Sequence, residues 1–195
     1  MSKPKILFGT NNPHKLREIR EILGSEYNVL SLADVGLDLD VEETEPTLEG
    51  NAILKAEAFA KASKLPCFAD DTGLEVEALD GAPGVISARY AGPDCSSDDN
   101  IDKLLGELGD KSNRAARFRT VVAYHKEGQN LCFEGQVEGN ILQGRQGESG
   151  FGYDPIFQPI GHTLSFAEFT PADKNAISHR GRAVRKFAAY LLNLV

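Results

Sequence analysis

The chain has 195 residues, 41% of them hydrophobic, enough to bury roughly 70% of its unfolded surface in one compact domain without disulfides or an obligate metal. Three cysteines (Cys67, Cys95, Cys132), odd in number and lacking any CxxC pair, read as a reduced intracellular protein and disfavour a structural zinc site. A net charge of −8 argues against nucleic acid as a partner, and no apolar run approaches the ~20 residues of a membrane span; "MSKPKILFG" lacks a signal peptide's apolar region, so a cytoplasmic location is expected.

In chain order, "KILFG" (5–9) predicts a short strand, and "LREIREIL" carries Leu16, Ile19, Ile22 and Leu23 at helical spacing. Between them "TNNPH" offers Asn12 as N-cap and Pro13 as first helical residue. "YNVLSL" (27–32) predicts a second strand, followed by the acidic loop "DVEETEPT" and a long helix over 48–64 with Thr47 as cap and the stripe Leu48, Ala52, Ala56, Phe59, Ser63. A strand ending at Asp70 comes next, then an alternating segment "LEVEAL" (74–79), a Gly/Pro-rich loop "GAPGVISARYAG", and a helix over 98–108. "ARFRTVVAYH" and "NLCFEGQVEGNIL" read as a hairpin joined across "KEGQ". The chain closes with the loop "GRQGESGFGYDP", a connector and a helix from about Arg180 to Asn193. Early βα units with a later antiparallel pair predict an α/β fold with a mixed sheet.

Two features carry chemistry at once. In "GTNNPHK" (9–15) a strand gives way to a helix, so its N–H groups and Lys15 form an anion-binding arrangement; the second glycine and Lys-Ser/Thr pair of a Walker A loop are missing. The plain alternative is an ordinary capped helix with a solvated lysine. In "FADDTGL" two adjacent carboxylates, Asp70 and Asp71, follow an apolar run, and like charges there need compensation. Together with the loop carrying Glu42, Glu43 and Glu45 they suit Mg²⁺, which takes one or two carboxylates plus substrate phosphates and water. A solvated acidic loop, a turn residue at Asp71 and a surface Lys55 are the alternatives. "SGFGYDP" (149–155) combines flexible glycines, two aromatics and an acid, fit for stacking a flat ring, and "DKNAISHRG" (173–181) brings the donors Ser178, His179 and Arg180 to a helix start.

Six segments, "TNNPHK", "EGNAILKA", "ADDTGL", "GAPGVISARYAG", "FGYDP" and "KNAISHRG", resemble in order the inosine triphosphate pyrophosphatase family, which hydrolyses non-standard purine nucleoside triphosphates such as ITP, dITP and XTP. The resemblance implies a single bilobed domain over 1–195: an elongated mixed β-sheet flanked by helices, in two lobes around a central substrate cleft. It further implies a homodimer, Mg²⁺ as cofactor, and release of pyrophosphate and a nucleoside monophosphate. By the same resemblance Asp71 is the catalytic acid and a metal ligand, with Glu43 or its neighbour Glu42 completing the metal site. Thr10, Asn11, Asn12, Pro13, His14, Lys15, Lys55 and Thr72 fall to the triphosphate. Phe151, Gly152, Tyr153, Asp154, Lys174, His179 and Arg180 fall to the base, Arg180 as a donor to the 6-oxo group. The family often has glycine where Asn11 stands. A nucleotide-binding regulator would not need Asp71, a modified-pyrimidine pyrophosphatase would lack the "FGYDP" and "SHRG" pairing, and a metal-free phosphatase would need a Cys or His nucleophile motif that is missing.

Overall fold

The computed structural model describes residues 3–24 and 26–192. Its strands are β1 (Lys5–Phe8), β2 (Asn28–Leu30), β3 (Cys67–Val76), β4 (Pro83–Gly84), β5 (Ala115–Lys126), β6 (Gln129–Ile141) and β7 (Phe157–Pro159). Its α-helices are α1 (Pro13–Leu23), α2 (Leu48–Ser63), α3 (Ser97–Leu108), α4 (Pro171–Ile177) and α5 (His179–Leu192). The strands pair in the order β2-β1-β3-β5-β6-β7, with β4 beside β3. Pairing is parallel for β1 with β2 and β3, and antiparallel for β3 with β4 and β6 with β7, which makes the sheet mixed as expected. Asn193, the expected end of the last helix, lies outside the described residues.

The chain divides into two compact units. The first comprises the described residues of Met1–Asp71, Thr120–Gly135 and Arg180–Val195. In it, strand alternation sorts side chains onto two faces. Ile6, Phe8 and Phe68 pack with Ile19 and Leu23 of α1 and Val184 and Phe187 of α5, whereas Leu7 and Cys67 pack with Leu32 and with Phe59 of α2. Phe8 and Phe68, on neighbouring strands, stack at 4.6 Å between ring centroids. Gly9 is required where β1 ends, because a Cβ there would come within 2.3 Å of the Phe59 ring. The β5–β6 hairpin turns on Glu127 and Gly128, both with positive φ (53° and 77°), the left-handed pair a two-residue hairpin loop of matching twist demands. The second strand is shorter than expected because the N–H and hydroxyl of Ser31 both donate to Asp34, which folds the chain into a 3₁₀ turn at Ala33–Val35.

The second unit comprises Thr72–Arg119 and Gln136–His179. Its core joins Leu74 and Val76 of β3, Ile101, Leu104 and Leu108 of α3, Phe118 of β5, and Ile156, Phe157 and Phe166. A capping box starts α3, with the Ser96 hydroxyl accepting from Asp99 N–H and the Asp99 carboxylate accepting from Ser96 N–H.

One expected boundary is corrected. The strand does not end at Asp70; β3 runs unbroken from Cys67 to Val76, with both aspartates inside it. Of "LEVEAL", Leu74–Val76 continues this same strand, while Glu77–Leu79 forms a 3₁₀ turn rather than further alternating strand. What ends near Phe68 is the neighbour, since β1 pairs with β3 only at Cys67 and Phe68.

Candidate active site

Because successive residues of a strand face opposite ways, Asp70 and Asp71 point to opposite faces of the sheet, and each meets its own cation. Asp70 shares its face with Phe68, toward α1 and α5. There Lys15 Nζ donates to Oδ1 at 3.0 Å and Arg180 Nε donates to Oδ2 at 3.0 Å. Asp71 shares its face with Cys67, toward α2, where Lys55 Nζ donates to its Oδ1 at 2.9 Å and to Glu43 Oε1 at 2.5 Å.

The two carboxyls consequently sit in opposite electrostatic states. Burial opposes the charge of Asp70, but Lys15, Arg180 and Lys55 overcome it and hold the carboxyl well below the usual range. For Asp71 burial prevails: the nearby Lys55 only partly offsets it, Glu43 adds repulsion, and the carboxyl is pushed up to about 6. Its Oδ2 is buried without a hydrogen-bond partner among the described residues. Burial lowers the Lys15 ammonium against the pull of Asp70; at Lys55 burial is outweighed by Asp71, Glu43 and Asp70, which raise it. Ion pairs among the described residues thus join Glu18, Glu43, Asp70 and Asp71 with Lys15, Lys55 and Arg180.

The cluster tests the sequence reading residue by residue. Lys55 is not a surface charge; only 9% of it is exposed, and it lies on the same helix face as Ala52, Ala56 and Phe59. Glu43 reaches Lys55, whereas Glu42 is exposed. At α1, Asn12 is the cap as expected, but its Oδ1 accepts from His14 N–H and Lys15 N–H, so those two amides are already occupied. Thr10 Oγ1 accepts from Asn12 N–H, and Pro13 is exposed at the first helical position. Asn11 Nδ2 donates to Leu39 O, and His14, also exposed, lies beside Arg17. Arg180, expected at the base, is instead 2% exposed, with Nε on Asp70 and Nη1 donating to Glu18 at 2.5 Å. Sequence reasoning missed Glu18, although its spacing of three from Lys15 puts both on one side of α1. Thr72 follows in β3, half-buried.

The second unit holds the other cluster. Gly150 and Gly152 take positive φ (79° and 61°) and turn the chain so that Asp154 Oδ2 accepts from Phe151 N–H at 2.8 Å. A Cβ on Gly150 would lie 2.2 Å from that oxygen, so the turn and the contact both require glycine. Lys174 of α4 donates to the same oxygen at 2.7 Å and stands 4.8 Å from the Phe151 ring centroid, a cation–π distance. His179 is buried and stacked on Phe118 at 4.6 Å. Tyr153 is buried in the core, its hydroxyl donating to the Ser87 carbonyl; Ser87 Oγ in turn accepts from Leu74 N–H. Ser87 was not among the expected site residues, and only its place in "GAPGVISARYAG" pointed to it.

A family model described as the Ham1 family matches residues 6–190. A dITP/XTP pyrophosphatase of Porphyromonas gingivalis is 53% identical over 189 residues, covering 96% of this chain and 97% of that protein. Among solved structures, the Staphylococcus aureus Ham1 protein is 42% identical with a TM-score of 0.88, covering 98% of this chain and 100% of that one. A HAM1 protein from Coxiella burnetii is 39% identical with a TM-score of 0.89, covering 97% and 99%.

Proposed function

Since the chain belongs to the Ham1 family, we propose that it is a nucleoside triphosphate pyrophosphatase, hydrolysing non-standard purine nucleotides (ITP, dITP, XTP) to the monophosphate and pyrophosphate. The observation that carries the reading is the split aspartate pair: one carboxylate locked in its charged form by two cations, its neighbour buried with an open oxygen and an elevated pKa. Its open oxygen in a buried site would place Asp71 to accept the proton of the attacking water. Lys15 and Lys55 bind phosphate oxygens, and Asp70 with Arg180 fixes where Lys15 stands.

The residues fit a divalent cation. The buried Asp71 Oδ2, without a hydrogen-bond partner among the described residues, invites one, and Asp71 and Glu43 would be its ligands. Mg²⁺ binds through one or two carboxylates and completes its shell with phosphates and water, so two carboxylates would suffice for it. When bound, Mg²⁺ supplies charge neutralisation on the phosphates and the departing pyrophosphate.

In the second unit we assign Phe151 to stacking on the base and Lys174 to its 6-oxo oxygen. An ammonium only donates, so it pairs with the oxo acceptor of hypoxanthine or xanthine and not with the amino group of adenine. Gly152, Asp154 and His179 shape that pocket, while Thr10, Asn11, Asn12, Pro13, His14 and Thr72 border the phosphates. The protein is proposed to act as a cytoplasmic homodimer on small-molecule nucleotides, and its net charge of −8 is unsuited to tracking nucleic acid.

Hydrolysis in heavy-oxygen water tests the bond cleaved. Water attacking the α-phosphorus breaks the α–β bridge and leaves the label in the monophosphate; label in pyrophosphate or orthophosphate would refute the assignment.

A further inference from the structure

The segment "EGNAILKA" contains a polar residue that the reaction scheme does not use. Asn51 lies on α2 one turn before Lys55, on the buried stripe with Leu48, Ala52 and Ala56, and is 0% exposed. An asparagine is a weaker helix former than the alanine or leucine such a stripe would take, and its Nδ2 is buried without a hydrogen-bond partner among the described residues. Both features oppose folding, so what its side chain does should matter elsewhere. Its Oδ1 accepts from the backbone N–H of Glu45 at 2.9 Å. Glu45 also lies against the preceding residue of the helix: a Cβ on Gly50 would come within 2.7 Å of Glu45 Cβ. Two residues before Glu45 is Glu43, whose carboxylate meets Lys55. The acidic loop is therefore held to α2 at two points, by its backbone at Asn51 and by its carboxylate at Lys55.

We propose that Asn51 is a positioning residue for the metal site, acting through the Glu45 amide to set where Glu43 presents its carboxylate; the inference rests on the metal reading above. Loss of the Asn51–Glu45 bond loosens the loop beside Glu43, and its carboxylate then has to be ordered further at the moment the cation binds.

Mg²⁺ titration by calorimetry, without nucleotide, tests this on the full chain. Asn51→Ala is expected to weaken Mg²⁺ binding about 5-fold or more, as loss of one neutral hydrogen bond implies. Asn51→Asp keeps an acceptor for the Glu45 amide and is expected to bind Mg²⁺ within about 2-fold of the parent or more tightly. In a Glu43→Gln background the Asn51→Ala effect should vanish, a non-additivity that general loosening of the fold would not produce. Undiminished binding by Asn51→Ala, failure of Asn51→Asp to restore it, or equal effects in both backgrounds would overturn the proposal. Should Asn51→Ala not fold, Asn51→Asp alone decides, since a Mg²⁺ affinity reduced 5-fold there contradicts it. Should Asp71→Asn bind Mg²⁺ as well as the parent, the metal reading itself fails, separately from the role of Asn51.

Discussion

A buried carboxyl that keeps its proton to about pH 6 releases it near pH 4 when the chain unfolds, so the folded state holds more protons between those values and loses stability as pH rises. Asp71 should therefore weaken the metal-free protein at pH 8, on the order of 2–3 kcal/mol. Asp71→Asn removes the titration, so in the presence of chelator its melting temperature should exceed the parent's by several °C at pH 8, and the two should converge below about pH 4. Added Mg²⁺ should raise the parent far more than the variant. Its turnover should fall ~10²- to 10⁴-fold, as loss of a general base requires. A variant that melts lower at pH 8, or that keeps a tenth of the activity, would mean Asp71 is an ordinary structural acid. Residue types at this site were legible: paired aspartates, a lysine after a helix start, an acidic loop. Their pairing was not, because Arg180 meets Asp70 across 110 positions of chain and nothing local announces it.

At the scale of elements, the close approach of α2 to the end of β1 depends on Gly9. Gly9→Ala places a methyl against the Phe59 ring and should cost roughly 1–3 kcal/mol, the usual range for overpacking, read as a lower melting temperature. Stability equal to the parent would show that α2 can back away freely. The loop at 149–155 with α4 forms the other working element. Lys174→Met should lower kcat/KM for ITP by ~10²-fold or more while changing that for ATP much less, since only the 6-oxo base has an acceptor to lose. Equal losses would reassign Lys174 to supporting Asp154, the partner it already contacts. Helices were the more legible elements, their caps Asn12 and Thr47 readable from the chain because capping is a local interaction. The extent of β3 was not, since a strand's end is set by its neighbours: β1 stops at Phe8 while β4 takes up Leu74 and Glu75.

For the molecule as a whole, the order of strands and helices pointed to the mixed α/β class and the order of motifs to the family, and neighbours of TM-score 0.88 and 0.89 share that fold. Roles within the site were less legible, because sequence marks which residue types are present and geometry decides which are already committed. Arg180 is held by two carboxylates and Tyr153 by a backbone carbonyl, contacts that no local motif announces. We propose that this chain cleaves the non-standard 6-oxopurine nucleotides ITP, dITP and XTP at the α–β bond with Mg²⁺. The most direct measurement presents ITP, dITP, XTP, ATP, GTP, CTP and UTP to the purified protein with Mg²⁺ and quantifies pyrophosphate and orthophosphate separately. Pyrophosphate equal to the monophosphate formed, fastest from ITP, dITP and XTP and far slower from ATP, is the predicted result; orthophosphate as the primary product, or ATP hydrolysed as fast as ITP, would contradict it.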